Sequence, residues 1–254
     1  MASKRQLVWI TGASTGIGRE LALQMANRNM RCAVTARSTD KLQALARSSN
    51  LIDVFPADVT DREGVAATVD RIEARLGAID VAVLNAGVWV DMCAHEYDAT
   101  ACEEAMRVNY FGTVYAIDAL LPRMIERDRG HLVIVASVAG YRGMPRTVAY
   151  GPTKAALINH AEALMGTLDG TGVRVSVVNP GFVDTPMTEN NEFSMPYIIP
   201  VDVAARKIIA GIGRRKFEIA FPWQFVQMLK ATRRAPYPLF FWLVRNFIRD
   251  RDQD

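Results

Sequence analysis

Short apolar runs alternate with longer segments of helical periodicity along most of this chain. The strand-like runs are Leu7 to Thr11, Cys32 to Ala36, Ile52 to Phe55, Val81 to Leu84, Leu132 to Ala136, Val173 to Val178 and Phe217 to Ala220. They are continuously apolar rather than alternating, as expected of strands covered on both faces. Helical patterns fall between them, near Ile17 to Asn27, Asp61 to Leu76, Thr100 to Arg127, Ala149 to Leu168 and Val201 to Ile212. This order predicts an α/β fold, a Rossmann-type doubly wound sheet of about seven parallel strands with helices on both faces. Gly181 to Pro200 is the one long irregular stretch and reads as a loop or lid.

Composition narrows the class. The chain has 254 residues, 50% of them apolar and 22% charged, with 17 Gly and 11 Pro, which excludes disordered, collagen-like and disulfide-stapled classes. A single domain, 1–254, is expected, with a core over 5–190, a substrate loop and helix over 186–215, and a C-terminal extension over 221–254. The net charge of +3 hides an asymmetry: Met1 to Asp202 carries 19 basic and 23 acidic residues, and Val203 to Asp254 carries 11 and 4. Cys32, Cys93 and Cys102 are odd in number and lack ligand spacing, which points to a reducing compartment. With no signal-peptide pattern after Met1 and no apolar run of about 18 residues, a cytoplasmic protein is expected. His95, His131 and His160 are scattered, so they read as structural or exposed, and no metal site is expected.

The first chemical signal follows the first strand: Thr11-Gly12-Ala13-Ser14-Thr15-Gly16-Ile17-Gly18 leads directly into a helical pattern. Glycines there permit a tight turn and close backbone approach to a pyrophosphate, while the helix N-terminus offers free N–H groups. The second strand ends in Ala36-Arg37-Ser38, where an acidic residue would favour an unphosphorylated ribose. Arg37 can instead pair bidentately with a 2′-phosphate, and Ser38 adds a hydroxyl donor. NADP(H) is therefore the expected coenzyme, ahead of NAD(H).

Further motifs occur in order: Asn85-Ala86-Gly87 after the fourth strand, Asn109 in a long helix, Ser137 after the fifth, Tyr150-Gly-Pro-Thr-Lys154, and Asn179-Pro180-Gly181 at the end of the sixth. Together with the glycine spacing, they make the chain resemble the classical short-chain dehydrogenase/reductase family over about residues 5 to 190. Residues four apart share a helix face, so Tyr150 and Lys154 can point into one site. The resemblance implies that Tyr150 is the acid and base of hydride transfer and that Ser137 hydrogen-bonds the substrate oxygen. The Lys154 ammonium beside the Tyr150 phenol and an oxidised nicotinamide nearby are expected to stabilise the phenolate. Lys154 would also bind the nicotinamide ribose, and the resemblance implies that Asn109 holds a water linking Lys154 to solvent.

The same resemblance assigns coenzyme contacts to Gly12, Ser14, Thr15, Gly16, Ile17 and Gly18 of the loop, and to Asp58 and Val59 near the adenine. Asn85, Ala86 and Gly87 pass beneath the coenzyme, and Pro180, Gly181, Val183 and Thr185 lie at the carboxamide. One departure is Thr15, which stands where many NADP-dependent members carry a basic residue. Trp89, Met92, Tyr141, Met144, Phe182, Met187, Phe193 and Met195 are the candidate pocket residues. Their apolar character points to a lipophilic aldehyde or ketone, or the corresponding alcohol. The resemblance favours a carbonyl reductase or alcohol dehydrogenase. A catalytically silent dinucleotide sensor or scaffold is the alternative, although no damage to Ser137, Tyr150 or Lys154 is visible. A serine hydrolase is disfavoured because Ser137 lies in Val-Ala-Ser-Val-Ala, without a nucleophile elbow.

Beyond the family core, Phe221, Trp223, Phe225, Tyr237, Phe240, Phe241, Trp242 and Phe247 are interleaved with Lys230, Arg233, Arg234, Arg245, Arg249 and Arg251. Pro236 and Pro238 divide this extension into two short helical pieces. It suits packing on a second subunit, in a homodimer or homotetramer, or peripheral contact with a membrane interface. Because the apolar run Leu239 to Val244 covers all sides of a helix, burial between protein surfaces is favoured. Arg214-Arg215-Lys216 is too short a cluster to predict nucleic-acid binding.

Overall fold

The computed structural model describes residues 5–189, 191 and 193–248. Seven strands form one parallel sheet: β1 (Leu7–Thr11), β2 (Arg31–Thr35), β3 (Ile52–Val54), β4 (Val81–Leu84), β5 (Gly130–Val135), β6 (Val173–Pro180) and, after a short pair described below, β9 (Glu218–Phe221). Their order is β3-β2-β1-β4-β5-β6-β9, and every neighbouring pair is parallel. The expected doubly wound sheet is thus observed. The chain reverses its winding direction between β1 and β4, and the crevice beyond the C-terminal ends of these strands is where such sheets bind ligands.

Alternation along β1 divides the core between the two faces of the sheet. Leu7 and Trp9 pack with Val65, Val69 and Ile72 of α3 (Arg62–Leu76), Leu120 and Met124 of α5 (Gly112–Glu126) and Leu157 of α6 (Tyr150–Thr167). Val8 and Ile10 pack with Leu21 and Met25 of α1 (Gly16–Ala26), Leu42 and Leu45 of α2 (Thr39–Ala46) and Ile208 of α7 (Val201–Gly213). Each buried Leu or Ile contributes roughly 1.5–3 kcal/mol of transfer free energy. Helix starts follow local chemistry: Asp61 caps α3 by accepting from the Gly64 N–H, and Asp98 caps α4 (Ala99–Met106) by accepting from that of Thr100.

Three features differ from the sequence expectation. Helix α2 is additional; its eight residues turn only Leu42 and Leu45 inward, too short a pattern to stand out. The expected helix from Thr100 to Arg127 is interrupted by a π-helical turn at Arg107–Phe111, closed by the Gly112 N–H bonding to the Arg107 carbonyl. Within the Gly181 to Pro200 stretch, β7 (Val183–Asp184) and β8 (Ile199–Pro200) form a short parallel pair that fastens both ends of the loop. His131 is buried and meets the Ser176 hydroxyl at 2.8 Å, a structural role.

Helix α6 lies very close to the turn Val138–Gly140 that follows β5. A Cβ on Gly140 would sit 2.6 Å from the Lys154 carbonyl carbon and 2.7 Å from its oxygen, and backbone cannot yield as a flexible side chain can. Gly140→Ala is expected to separate α6 from the turn and lower stability by about 1–3 kcal/mol in urea unfolding. An unchanged midpoint would show that this approach is not tight.

Candidate active site

A cavity of about 1010 Å³ runs across the C-terminal ends of β1, β4, β5 and β6. One end is lined by Gly12, Ser14, Thr15, Gly16 and Ile17 at the start of α1, with Arg37, Ser38, Lys41, Asp58 and Val59 beyond. Asn85, Ala86 and Gly87 line the middle, together with Ser137, Tyr150 and Lys154 on one side and Pro180, Gly181, Val183 and Thr185 on the other. Two of the expected site residues, Gly18 and Asn109, are not among the lining residues and support it from behind.

The glycine loop is packed backbone against backbone. Gly12 has φ +66, and a Cβ there would lie 2.7 Å from the Ala86 Cα; one on Gly18 would lie 2.4 Å from the Gly12 carbonyl oxygen. Asn85 secures the arrangement through its Nδ2, which donates to the Thr11 and Gly12 carbonyls at 3.1 and 3.2 Å. The resulting surface of main chain at the N-terminus of α1 suits a phosphate pair, whose negative charge meets the positive end of the helix.

Arg37 and Lys41 stand four residues apart at the far end, Lys41 being a second cation that the sequence reading missed. The Arg37 guanidinium is largely exposed and lies 4.0 Å from the Asp58 carboxylate. Asp58 is itself used locally, accepting from the Thr60 N–H and hydroxyl at 2.9 and 2.8 Å.

Strand β5 and helix α6 set the central geometry. Ser137 follows β5, accepts from the Ala139 N–H at 3.2 Å and donates to the Pro180 carbonyl at 3.4 Å. Tyr150 opens α6, with Ser137 as the polar group that acts on its phenol. One turn later, the buried Lys154 donates from Nζ to the Val135 carbonyl at 3.0 Å, with Nζ 5.4 Å from the centre of the Tyr150 ring. Trp89 meets Tyr150 edge to face at 4.9 Å. Behind Gly87, Asn109 is fully buried in the π-helical turn. Its Oδ1 accepts from the Val88 N–H at 2.7 Å, and its Nδ2 donates to the Val88 carbonyl and to Thr153 Oγ1, both at 3.0 Å. Asn109 and Thr153 thereby fix the cavity floor. Thr153 too was missed, since a mid-helix threonine carries no distinctive sequence signal.

Burial dominates both titratable groups. The Tyr150 phenol is pushed up to about 12 by burial, opposed by its hydrogen bond with Ser137. Burial pushes the Lys154 ammonium down to about 8. The expected stabilisation of the phenolate involves the Lys154 ammonium and an oxidised nicotinamide together, and burial of the phenol acts in the opposite direction. Tyr150 is protonated at neutral pH, able to give a proton, while Lys154 lies near its titration point and responds to small electrostatic changes.

The other end of the cavity is apolar. Trp89, Met144, Phe182, Met187 and Phe193 line it as expected, whereas Met92, Tyr141 and Met195 do not. Met92 is buried in a bridge to Thr147, the Tyr141 hydroxyl donates to Glu218 at 2.6 Å, and the Met195 sulfur meets Asn191. The C-terminal extension also contributes a wall. Phe225, Met228, Leu229 and Thr232 of α8 (Trp223–Arg234) line the cavity at i, i+3, i+4, i+7, and Leu243 of α9 (Tyr237–Leu243) joins them. The extension was expected to serve only as a docking surface; this helical spacing was the available signal for its inward face.

Comparison with known proteins identifies the family. A family model described as short chain dehydrogenase matches residues 6–194. An uncharacterized oxidoreductase of Myxococcus xanthus is 37% identical over 235 residues, covering 91% of this chain and 93% of the relative. A short-chain dehydrogenase/reductase from Burkholderia phymatum, solved in complex with NAD, is 22% identical with a TM-score of 0.81, covering 89% of this chain and 92% of that one. An actinorhodin polyketide ketoreductase solved with NADPH is 25% identical with a TM-score of 0.77, covering 87% and 97%.

Lys154 is expected to lose its proton at about 8, some two units below an ordinary lysine, as followed by NMR of isotope-labelled lysines. The titrating signal is expected to vanish in Lys154→Arg. A titration no different from that of surface lysines would contradict the buried placement.

Proposed function

The chain belongs to the short chain dehydrogenase family and is an oxidoreductase of that type, a family that binds a nicotinamide dinucleotide. From that premise we propose that it transfers hydride between NADP(H) and a lipophilic aldehyde or ketone, or the corresponding primary or secondary alcohol. The carrying observation is the meeting of Ser137, Tyr150 and Lys154 in a cavity that also runs over the glycine loop. Glycine positions that admit no Cβ, an α1 N-terminus lined by main chain and two cations at the far end fit such a dinucleotide.

When bound, the dinucleotide supplies or accepts the hydride. The residues of the chain manage the proton and the geometry. In reduction, the Tyr150 hydroxyl gives its proton to the substrate oxygen; in oxidation, its phenolate takes one. The Ser137 hydroxyl hydrogen-bonds the same oxygen and holds it near Tyr150. Lys154 favours the phenolate by its charge and binds the nicotinamide ribose, while Asn109 positions the floor through Val88. Gly12 to Gly18 receive the pyrophosphate, Asp58 and Val59 flank the adenine, and Pro180 to Thr185 hold the carboxamide.

Support for NADP(H) comes from Arg37 and Lys41, since two cations beside Ser38 complement a 2′-phosphate and Lys41 compensates for Thr15 in the loop. Support for a lipophilic substrate comes from Phe182, Phe193, Phe225, Met228, Leu229 and Leu243 around the other end. Among the described residues the one guanidinium there, Arg146, is paired with Asp91 at 2.9 Å. A charged metabolite would find little to pair with.

Tyr150→Phe is expected to abolish turnover while leaving coenzyme binding within about twofold, because only the proton donor is lost. Retained turnover would refute its role. KM is expected to be lower for NADPH than for NADH, and Arg37→Ala/Lys41→Ala is expected to raise KM for NADPH by at least about tenfold, with NADH little changed. Equal KM values for the two coenzymes in the unaltered chain would overturn the coenzyme assignment.

A further inference from the structure

Helices α8 and α9 have two different faces. Inward, α8 and Leu243 close the apolar end of the cavity, and Phe240 is buried beneath the Arg142 guanidinium, 4.2 Å from its ring centre. Arg142 also lies 4.8 Å from the Tyr237 ring and donates from Nη1 to the Arg233 and Ala235 carbonyls at 2.9 and 3.3 Å, fastening the joint between the helices. Outward, Tyr237, Leu239, Phe241 and Trp242 are each about half exposed or more. Tyr237 and Phe241 stack with ring centres 6.0 Å apart, so these side chains make a continuous apolar surface. It adjoins the cavity mouth, where Met187, Tyr197 and Met228 both line the cavity and face solvent.

Charge decides what covers this surface. From Trp223 to Ile248 the chain carries Lys230, Arg233, Arg234 and Arg245 and not one carboxylate. Lys230 is paired with Glu218, but Arg233, Arg234 and Arg245 are exposed. A two-fold contact between identical copies would bring these cations against their own kind. A bilayer with anionic headgroups meets both demands, taking the aromatic and aliphatic side chains into its interface and the guanidinium groups at its surface.

We propose that α8 and α9 dock the cavity mouth onto an anionic phospholipid surface. No helix among the described residues is long and apolar enough to cross a membrane, so the attachment is peripheral and reversible. Within Leu239 to Val244, Phe240 is buried, Leu243 and Val244 are half-buried with Leu243 lining the cavity, and Leu239, Phe241 and Trp242 are exposed. Arg249 and Arg251 of the extension lie outside the described residues. Docking does not depend on which molecule is reduced; delivery of substrate from the bilayer into the cavity rests on the lipophilic substrate proposed above.

The test is sedimentation of the full chain with vesicles of phosphatidylcholine alone and of phosphatidylcholine with roughly one-third phosphatidylglycerol, without coenzyme or substrate, so that it stands apart from the assigned reaction. Partitioning onto the anionic vesicles is expected to be at least about tenfold stronger, and to fall by about tenfold or more in Arg234→Gln/Arg245→Gln. Leu239→Glu/Phe241→Glu is expected to abolish binding while the far-ultraviolet circular dichroism spectrum and a cooperative thermal transition are kept, which shows that the variant folds. Absence of binding, or equal binding to both vesicles, overturns the proposal. A dimer in solution that this last variant converts to monomer, without vesicle binding by the unaltered chain, would assign the surface to a second copy and likewise overturn it.

Discussion

The site depends on a lysine held almost wholly out of solvent at the cavity wall. Lys154 is buried against the end of β5, with its ammonium spending one hydrogen bond on the Val135 carbonyl. Burying that charge is unfavourable, as its downward pKa shift shows, and the cost is offset by the packing of α6 on the turn after Ser137. This packing fixes Ser137, Tyr150 and Lys154 relative to one another. Because β5 is an interior strand, paired with β4 on one side and β6 on the other, the triad is anchored to main chain that is hydrogen-bonded along both edges.

Much of this was legible in the sequence because the chemistry is encoded locally. A strand followed by Gly12 to Gly18 and a helix, or a tyrosine and a lysine one helical turn apart, is readable from spacing alone. Continuous apolar runs likewise gave the seven strands, since strands buried on both faces show no alternation. What escaped depends on contacts distant in sequence. The π-helical turn is formed by residues in an apparently uniform helix, and only Asn109 reaching Val88 reveals its use. Helix α2 was too short to register, although it carries Lys41 to the same end of the cavity as Arg37.

The C-terminal extension illustrates the same limit. Its aromatic density was plain, but density does not say which side of a helix faces the protein. The fold turns Phe225, Met228, Leu229 and Thr232 of α8 to the cavity and buries Val226 in the core, and Arg142 holds the turn into α9. Lys230, Arg233 and Arg234 therefore stand on the helix that walls the apolar end of the cavity, while the cations Arg37 and Lys41 stand at the opposite end. One cavity thus combines a polar, cationic end suited to a phosphate with an apolar end open to a lipophilic molecule.

Hydride and proton transfer between a dinucleotide and a carbonyl is the central claim, and label transfer tests it most directly. The chain would be incubated with a long-chain aldehyde and NADPH deuterated at its transferable position, and the product analysed by mass spectrometry. Formation of the alcohol with one deuterium on the former carbonyl carbon, lost together with all turnover in Tyr150→Phe, is the predicted result. Unlabelled alcohol, or label transfer undiminished in that variant, would contradict the account.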